Sequence, residues 1–291
     1  MNIFVIISII ICLIIFIYIN YKVVFVSKYN IIDKEIPNSF DGFKILHLSD
    51  WHETMYGKNN EKLVELIKKQ SPDIIVITGD MVVRQKQAYK KSIDFIKKLD
   101  FCKVYMTLGN HELELTKERL EDFKEKLKEA NVVVLDNECD YLERNGAVIH
   151  LYGITFNSHL QATRSKLKGK VAERYAKIQA GFFDEIPEDE YKILLTHDPL
   201  NFISYAKMGF DLIYAGHLHG GGIRIFGFGV STPRKHWYFT RLAGGMVDRY
   251  GSKIIVSRGA GNSRFPIRIF NPPEISITTL HILDSLGDII I

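Results

Sequence analysis

From residue 44 onward, short runs rich in isoleucine and valine recur along the chain: KILHLS, DIIVIT, KVYMTL, NVVVL, AVIHLYGI, YKILLT, FDLIYA, KIIVS and EISITTLHI. Short runs with so little polar alternation suit strands covered on both faces, because a strand with one wet face would alternate. Between them lie segments of helical period. Leu63, Leu66 and Ile67 share one face of NNEKLVELIKKQ, which opens at a capping asparagine, and Leu120, Phe123, Leu127 and Ala130 form a stripe in LTKERLEDFKEKLKEA. Strand and helix alternate early and strands dominate later, so the expected fold is α/β: a layered β-sandwich flanked by helices. A chain of 291 residues can bury the core of one such large domain.

The first residues obey a different rule. IFVIISIIICLIIFIYI, residues 3–19, is apolar apart from Ser8 and, with VVFV after Lys22, reaches the roughly 20 residues that a membrane-spanning helix needs. It lacks the basic start and small-residue cleavage site of a signal peptide, so a retained anchor is expected. Lys22, Lys28 and Lys34 follow the span, which by the positive-inside tendency places the remainder on the cytoplasmic side. The expected organisation is an anchor over 1–26, a linker over 27–40 and a domain over 41–291. Cys12, Cys102 and Cys139 have neither disulfide-framework nor metal-ligand spacing.

The net charge of +4 is unevenly spread. From Arg224 to Arg268 there are nine Arg or Lys against Asp248 alone, and from Arg164 to Lys177 six against Glu173 alone. Such a surface favours anionic partners. The second stretch reads as a basic helical insertion that is either a solvated face or a cover over headgroups or the site. Arg258, Asn262 and Arg264 are candidate phosphate contacts. His47, His150 and His281, inside apolar runs, read as structural histidines, and His159 and His236 as solvated or substrate-facing.

The chemistry lies in the residues just past the apolar runs. KILHLS leads to Asp50 and His52, DIIVITG to Asp80, KVYMTLG to Asn110, His111 and Glu112, YKILLT to His197, and FDLIYAG to His217 and His219. Loops beyond the carboxyl ends of strands gather at one rim of an α/β sheet, so these distant residues can converge. Carboxylate, amide oxygen and imidazole suit borderline and hard divalent ions, and Asp50, His52, Asp80, Asn110, His197, His217 and His219 are too many for one tetrahedral zinc. They suit two ions about 3.5–4 Å apart. If GHLHGG is extended, His217 and His219 point the same way, and its glycines leave the approach clear.

SDWH, TGD, GNHE, THDP and GHLHGG, in this order, resemble the calcineurin-like metallophosphoesterase superfamily. With the N-terminal apolar segment, GHLHGG followed by IR, and VSRGAGNSRFPIRIFNPPE, the chain resembles its bacterial membrane-associated branch, which includes YkuE and YaeI. The resemblance implies Asp50, His52 and His219 on one divalent cation, Asn110, His197 and His217 on the other, and Asp80 between them. The ligand types accept Mn, Fe, Zn or Co, and the resemblance implies that His111 is a catalytic residue that contacts phosphate or leaving group. It leaves Glu112 without a role. Two positions depart from the pattern: Val83 stands where a carboxylate often orients the catalytic histidine, and Gly222 where glutamine is usual.

The activity so implied is hydrolysis of phosphoester or pyrophosphate bonds by a hydroxide that bridges the metals, on a phosphate-containing substrate. The anchor makes a lipid-linked one, such as UDP-2,3-diacylglucosamine, plausible. The rival readings are a nuclease or general phosphodiesterase and a noncatalytic scaffold. The scaffold is disfavoured because all seven ligands are kept, and nucleic acid because the anchor would sequester the site and no aromatic stacking platform is evident.

Overall fold

A computed structural model of the protein describes residues 2–156, 190–231, 237–262 and 267–283. The basic stretch Arg164 to Lys177, His159, His236 and Arg264 lie outside these residues.

All nine apolar runs are strands. One six-stranded sheet holds β1 (Phe25–Asp33), β2 (Lys44–Leu48), β3 (Ile74–Ile77), β4 (Lys103–Met106), β5 (Val132–Val134) and β15 (Glu274–Ile282), in the order β1-β15-β2-β3-β4-β5. A second holds β6 (Cys139–Arg144), β7 (Ala147–Ile154), β8 (Lys192–Thr196), β9 (Leu212–Ala215), β13 (Gly245–Arg249) and β14 (Ser252–Val256), in the order β13-β14-β9-β8-β7-β6. Within each, the central strands run parallel: β2 to β5 in the first sheet, and β14, β9, β8 and β7 in the second. Parallel neighbours deliver their carboxyl ends to one rim, as the scattered motif residues require. A small antiparallel sheet of β10 (Arg224–Ile225), β11 (Phe228–Ser231) and β12 (Trp237–Thr240) comes after the last motif.

The period of two along each strand divides the apolar residues between two cores. Ile45, Ile74, Val76 and Tyr105 face Ile193, Leu195, Leu212 and Tyr214 of the second sheet. Leu46, Leu48, Ile75, Ile77, Val104 and Met106 face outward, onto helices α2 (Glu61–Lys68), α3 (Lys90–Ile96) and α5 (Lys117–Glu129) through Leu63, Ile67, Phe95, Phe123 and Leu127. Helix α6 (Phe202–Lys207) covers the far side of the second sheet with Phe202 and Tyr205. The architecture is therefore helix, sheet, sheet, helix. His47 lies between the sheets, its Nε2 2.8 Å from Thr78 Oγ1 and its ring edge-on to Tyr214.

Two local expectations differ from the structure. Asn60 does not cap α2: its backbone is left-handed, and its Oδ1 accepts the N–H of Tyr56 at 2.9 Å. Part of the expected linker over 27–40 is strand β1, paired in parallel with β15 from Phe25 to Asp33, and Phe40 is buried. VSKYNIID hid this strand because its polar residues interrupt any continuous apolar run. The apolar N-terminal helix, α1 (Ile3–Lys22), consequently passes into the sheet with only Val23 and Val24 between.

Candidate metal centre

Each motif sits just past a strand, and the chain there turns sharply. Asp50, His52, Asp80, His217 and His219 all have positive φ, between 46° and 73°. Left-handed backbone at non-glycine residues is unfavourable, roughly 1–3 kcal/mol each, and persists only where the surroundings enforce it. GHLHGG is therefore not extended: Leu218 has φ −90° and ψ −2° between two left-handed histidines. The two imidazoles reach different partners.

His219 Nε2 lies 3.2 Å from Asp50 Oδ1 and 3.0 Å from His52 Nε2, so Asp50, His52 and His219 offer donors to one point. His217 Nδ1 lies 3.1 Å from His197 Nε2, which is 3.4 Å from Asp80 Oδ2, and Asp80, His197 and His217 offer a second. Asp80 Oδ2 stands between the groups, 3.8 Å from His52 Nε2 and 3.7 Å from His111 Nε2. Asn110 and His111 open the short helix α4 (Asn110–Leu113). Asn110 Oδ1 is buried and has no hydrogen-bond partner within the protein, as suits an oxygen available to a cation. Seven donors of oxygen and imidazole type, nearly all buried, fit a divalent-metal centre.

Hydrogen bonds aim these donors. His197 Nδ1–H donates to Thr78 O at 2.6 Å, leaving Nε2 toward Asp80. The backbone N–H of His217 and the hydroxyl of Ser49 donate to Asp50 Oδ2 at 2.9 and 2.6 Å, and the N–H of His111 donates to Asp80 Oδ1 at 2.9 Å. The rings of His52 and His111 share one acceptor. Both place Nδ1 near the carbonyl of Val82, at 3.3 and 3.1 Å, which directs both Nε2 atoms toward Asp80. That carbonyl supplies what the missing carboxylate at Val83 would: an acceptor that fixes the tautomer of His111.

Burial and charge oppose each other here. Burial pushes His52 down to about 3 and His217 down to about 4 despite neighbouring Asp80, which keeps them neutral and able to ligate. Burial disfavours the charged form of His197 too, but the Asp80 carboxylate outweighs it and holds His197 up at about 10. Although burial alone would raise Asp80, His197 and His111 hold its carboxyl well below the ordinary range. A cation entering this group would displace the His197 proton and take over its pairing with Asp80.

Glu112 has a role that residue type alone did not reveal. It is fully buried, and its Oε1 accepts from Met81 N and Val82 N at 2.7 and 3.2 Å, its Oε2 from Asp80 N and Gly109 N at 2.8 and 2.9 Å. Burial and Asp80 push its carboxyl up, while these backbone N–H groups favour the ionised form. Glu112 thus ties the loop that carries Asp80 and the Val82 carbonyl to the loop that carries Asn110 and His111.

The glycines are explained by close approach. A Cβ on Gly216 would lie 2.0 Å from Ser49 Oγ and 2.3 Å from Asp50 Oδ2, and one on Gly220 2.1 Å from Asn271 Oδ1. Of the expected phosphate contacts, Arg258 is paired with Glu274, its Nε 2.6 Å from Oε2, and the Oδ1 of Asn262 accepts from Arg268 Nε. Both serve to hold the C-terminal loop.

The family profile of calcineurin-like phosphoesterases matches residues 43–221. Among curated proteins, the metallophosphoesterase YkoQ of Bacillus subtilis is 27% identical over 88% of this chain and 90% of its own length. A metallophosphoesterase of Campylobacter jejuni is 31% identical over 86% of this chain and 62% of its own length. The phosphodiesterase YaeI of Escherichia coli is 24% identical over 82% of each.

Proposed function

This chain belongs to the calcineurin-like phosphoesterase family, and we propose that it is a membrane-anchored, dinuclear member that hydrolyses a phosphoester or pyrophosphate bond of a lipid-linked substrate. The observation that carries the reading is the convergence of Asp50, His52 and His219, and of Asp80, His197 and His217, on two points that share the Asp80 carboxylate. In this reading the first three residues hold one cation, Asn110, His197 and His217 the other, and Asp80 both. The ions, when bound, supply Lewis acidity toward water and toward the phosphoryl oxygens.

The chain's own residues do the rest. Asp50 and Asp80, held by the N–H groups of His217 and His111, keep their donor oxygens in register. The Val82 carbonyl accepts from Nδ1 of His111, so a proton carried at Nε2 faces the site and can pass to the departing oxygen. Phe156, edge-on to His197 and tilted against His217, covers that side of the pair.

Helix α1 supports the anchor: its 20 residues span about 30 Å, the thickness of a bilayer's hydrocarbon core, and nearly all its side chains are exposed. In this reading residues 1–26 carry the anchor and 41–291 the catalytic domain, on the cytoplasmic side, and β1 (Phe25–Asp33), between α1 and residue 41, adds an edge strand to the domain's first sheet.

The test uses the full chain in detergent, loaded in turn with Mn²⁺, Fe²⁺, Zn²⁺ and Co²⁺. It is assayed on aryl phosphate monoesters and diesters and on a nucleotide-diphosphate lipid. Metal-dependent turnover that is greatest on the lipid and lost in Asp80→Asn is expected. Turnover on none of them, with metal bound, would overturn the catalytic reading; equal rates on soluble diesters and on the lipid would overturn the lipid assignment.

A further inference from the structure

Helix α1 does not stand apart from the domain. Its last turns are bonded to the segment 267–271: Asn20 Oδ1 accepts from Asn271 N at 2.9 Å, Tyr21 Oη accepts from Arg268 N at 3.1 Å, and the ring of Phe16 meets that of Phe270 edge-on at 5.2 Å. The same segment is laid against the residues just after the last histidine motif. Arg224 N donates to Ile269 O at 3.0 Å and Ile269 N to Gly222 O at 3.1 Å. Asn271 Nδ2 donates to the carbonyl of His219 at 2.7 Å. Helix, segment and metal loop are thus joined through consecutive hydrogen bonds.

Around this junction the protein exposes large apolar side chains. Phe226, in the tight connection between β10 and β11, is 98% exposed, Phe270 67%, Ile225 42% and Ile267 38%. The hydrogen bonds of Ile269 to Gly222 and Arg224 bring together the two segments that carry these side chains, and exposed apolar groups so gathered mark an interaction surface. Their position relative to α1 identifies the partner. Tyr18, Tyr21 and Lys22 at the end of the helix are the residue types that settle at a headgroup boundary. Phe16, against which Phe270 packs, is two residues, about 3 Å, further into the membrane than Tyr18. Phe270, in contact with Phe16, is thus held near the depth of that boundary.

We propose that Ile225, Phe226, Ile267 and Phe270 form an apolar rim that enters the headgroup–acyl boundary of the bilayer spanned by α1, holding the mouth of the metal centre at the lipid surface. The inference rests on the reading of α1 as a membrane anchor. It gives that anchor a function beyond tethering. Because Asn271 connects α1 to His219, the site has a fixed height and tilt above the leaflet, and the substrate it suits is an amphiphile whose phosphate lies at the headgroup level while its chains stay in the membrane.

The experiment places an environment-sensitive fluorophore on single cysteines of the full chain, in vesicles of phosphatidylethanolamine and phosphatidylglycerol that contain doxyl-labelled lipid. Cys102→Ala and Cys139→Ala leave Cys12 as the label site inside α1. With Cys12→Ala added, Phe226→Cys and Phe270→Cys report on the rim, and Tyr141→Cys, on β6 at the opposite edge of the second sheet from β13, reports on the remote surface. Blue-shifted emission and strong quenching by shallow doxyl lipid at 226 and 270, with neither at 141, are expected. Quenching at 12 but water-like emission at 226 and 270 would overturn the rim and leave the anchor intact. Blue-shifted but unquenched emission there would show a protein surface, such as a second copy, covering the patch, and would also overturn it. Loss of quenching at position 12 as well would overturn the anchor reading itself.

Discussion

Glu112 touches no reacting atom in the arrangement described, yet Glu112→Gln should be among the most damaging conservative substitutions in the protein. The carboxylate accepts two backbone N–H groups at each oxygen: those of Met81 and Val82 at Oε1, and those of Asp80 and Gly109 at Oε2. An amide has one acceptor oxygen, so whichever way Gln is turned, two buried N–H donors face an NH₂. Each unsatisfied donor costs about 1–3 kcal/mol, so the substitution should destabilise the protein by about 2–6 kcal/mol. For a domain of this size that is a fall in Tm of roughly 5–20 °C. The damage should also reach the metal centre, because the loop released is the one that presents Asp80 and the Val82 carbonyl behind His52 and His111. Thermal unfolding of the detergent-solubilised full chain, with and without Mn²⁺, measures the first effect, and equilibrium dialysis of the metal the second. A Glu112→Gln protein with wild-type Tm and wild-type metal affinity would refute the argument that the four N–H bonds hold the two loops together.

Asp80→Ala should lose both metals, whereas His111→Ala should keep metal content near wild type and lose turnover; inductively coupled plasma measurements beside a diester assay separate the two. Gly216→Ala puts a Cβ 2.0 Å from Ser49 Oγ and 2.3 Å from Asp50 Oδ2, so it should lower metal affinity even in protein that remains folded by circular dichroism. Burial pushes His47 down to about 3. The folded state then holds it neutral while the unfolded chain takes up a proton below about 6.5. Its contribution is present above that pH and is lost as the pH falls, about 2 kcal/mol at pH 5. Denaturant melts of wild type and His47→Gln at pH 7.5 and 5 should show the wild type losing about that much more on acidification; parallel losses would contradict it.

The nine apolar strands and the helices α1, α2 and α5 were legible because they depend on local patterning. Runs such as DIIVIT and YKILLT can satisfy their side chains only between two covered faces, and the stripe of Leu120, Phe123 and Leu127 has a helical period. Strand β1 was not legible, since it is held by its parallel pairing with β15, some 250 residues away. For the site, the donors could be picked out by type and by their place after each strand. Their grouping came from the family resemblance, which set His219 with Asp50 and His217 with His197; residue type and spacing alone did not give it. The sequence suggested an extended GHLHGG with both imidazoles side by side, and the fold instead imposes left-handed backbone at both, sending His217 to His197 and His219 to Asp50.

The sequence alone therefore determined the alphabet of the site: the nine apolar strands, which of them end in oxygen or imidazole donors, and that an apolar helix precedes them. The tertiary structure decided how those parts are held. The Val82 carbonyl in place of a carboxylate at Val83, Glu112 as the tie between two loops, and Asn271 as the link from α1 to His219 all depend on backbone groups. Every residue but proline carries such groups, so their identity leaves no mark on the amino-acid letters. Only the packing of one loop against another selects the carbonyl or N–H that faces the ligand.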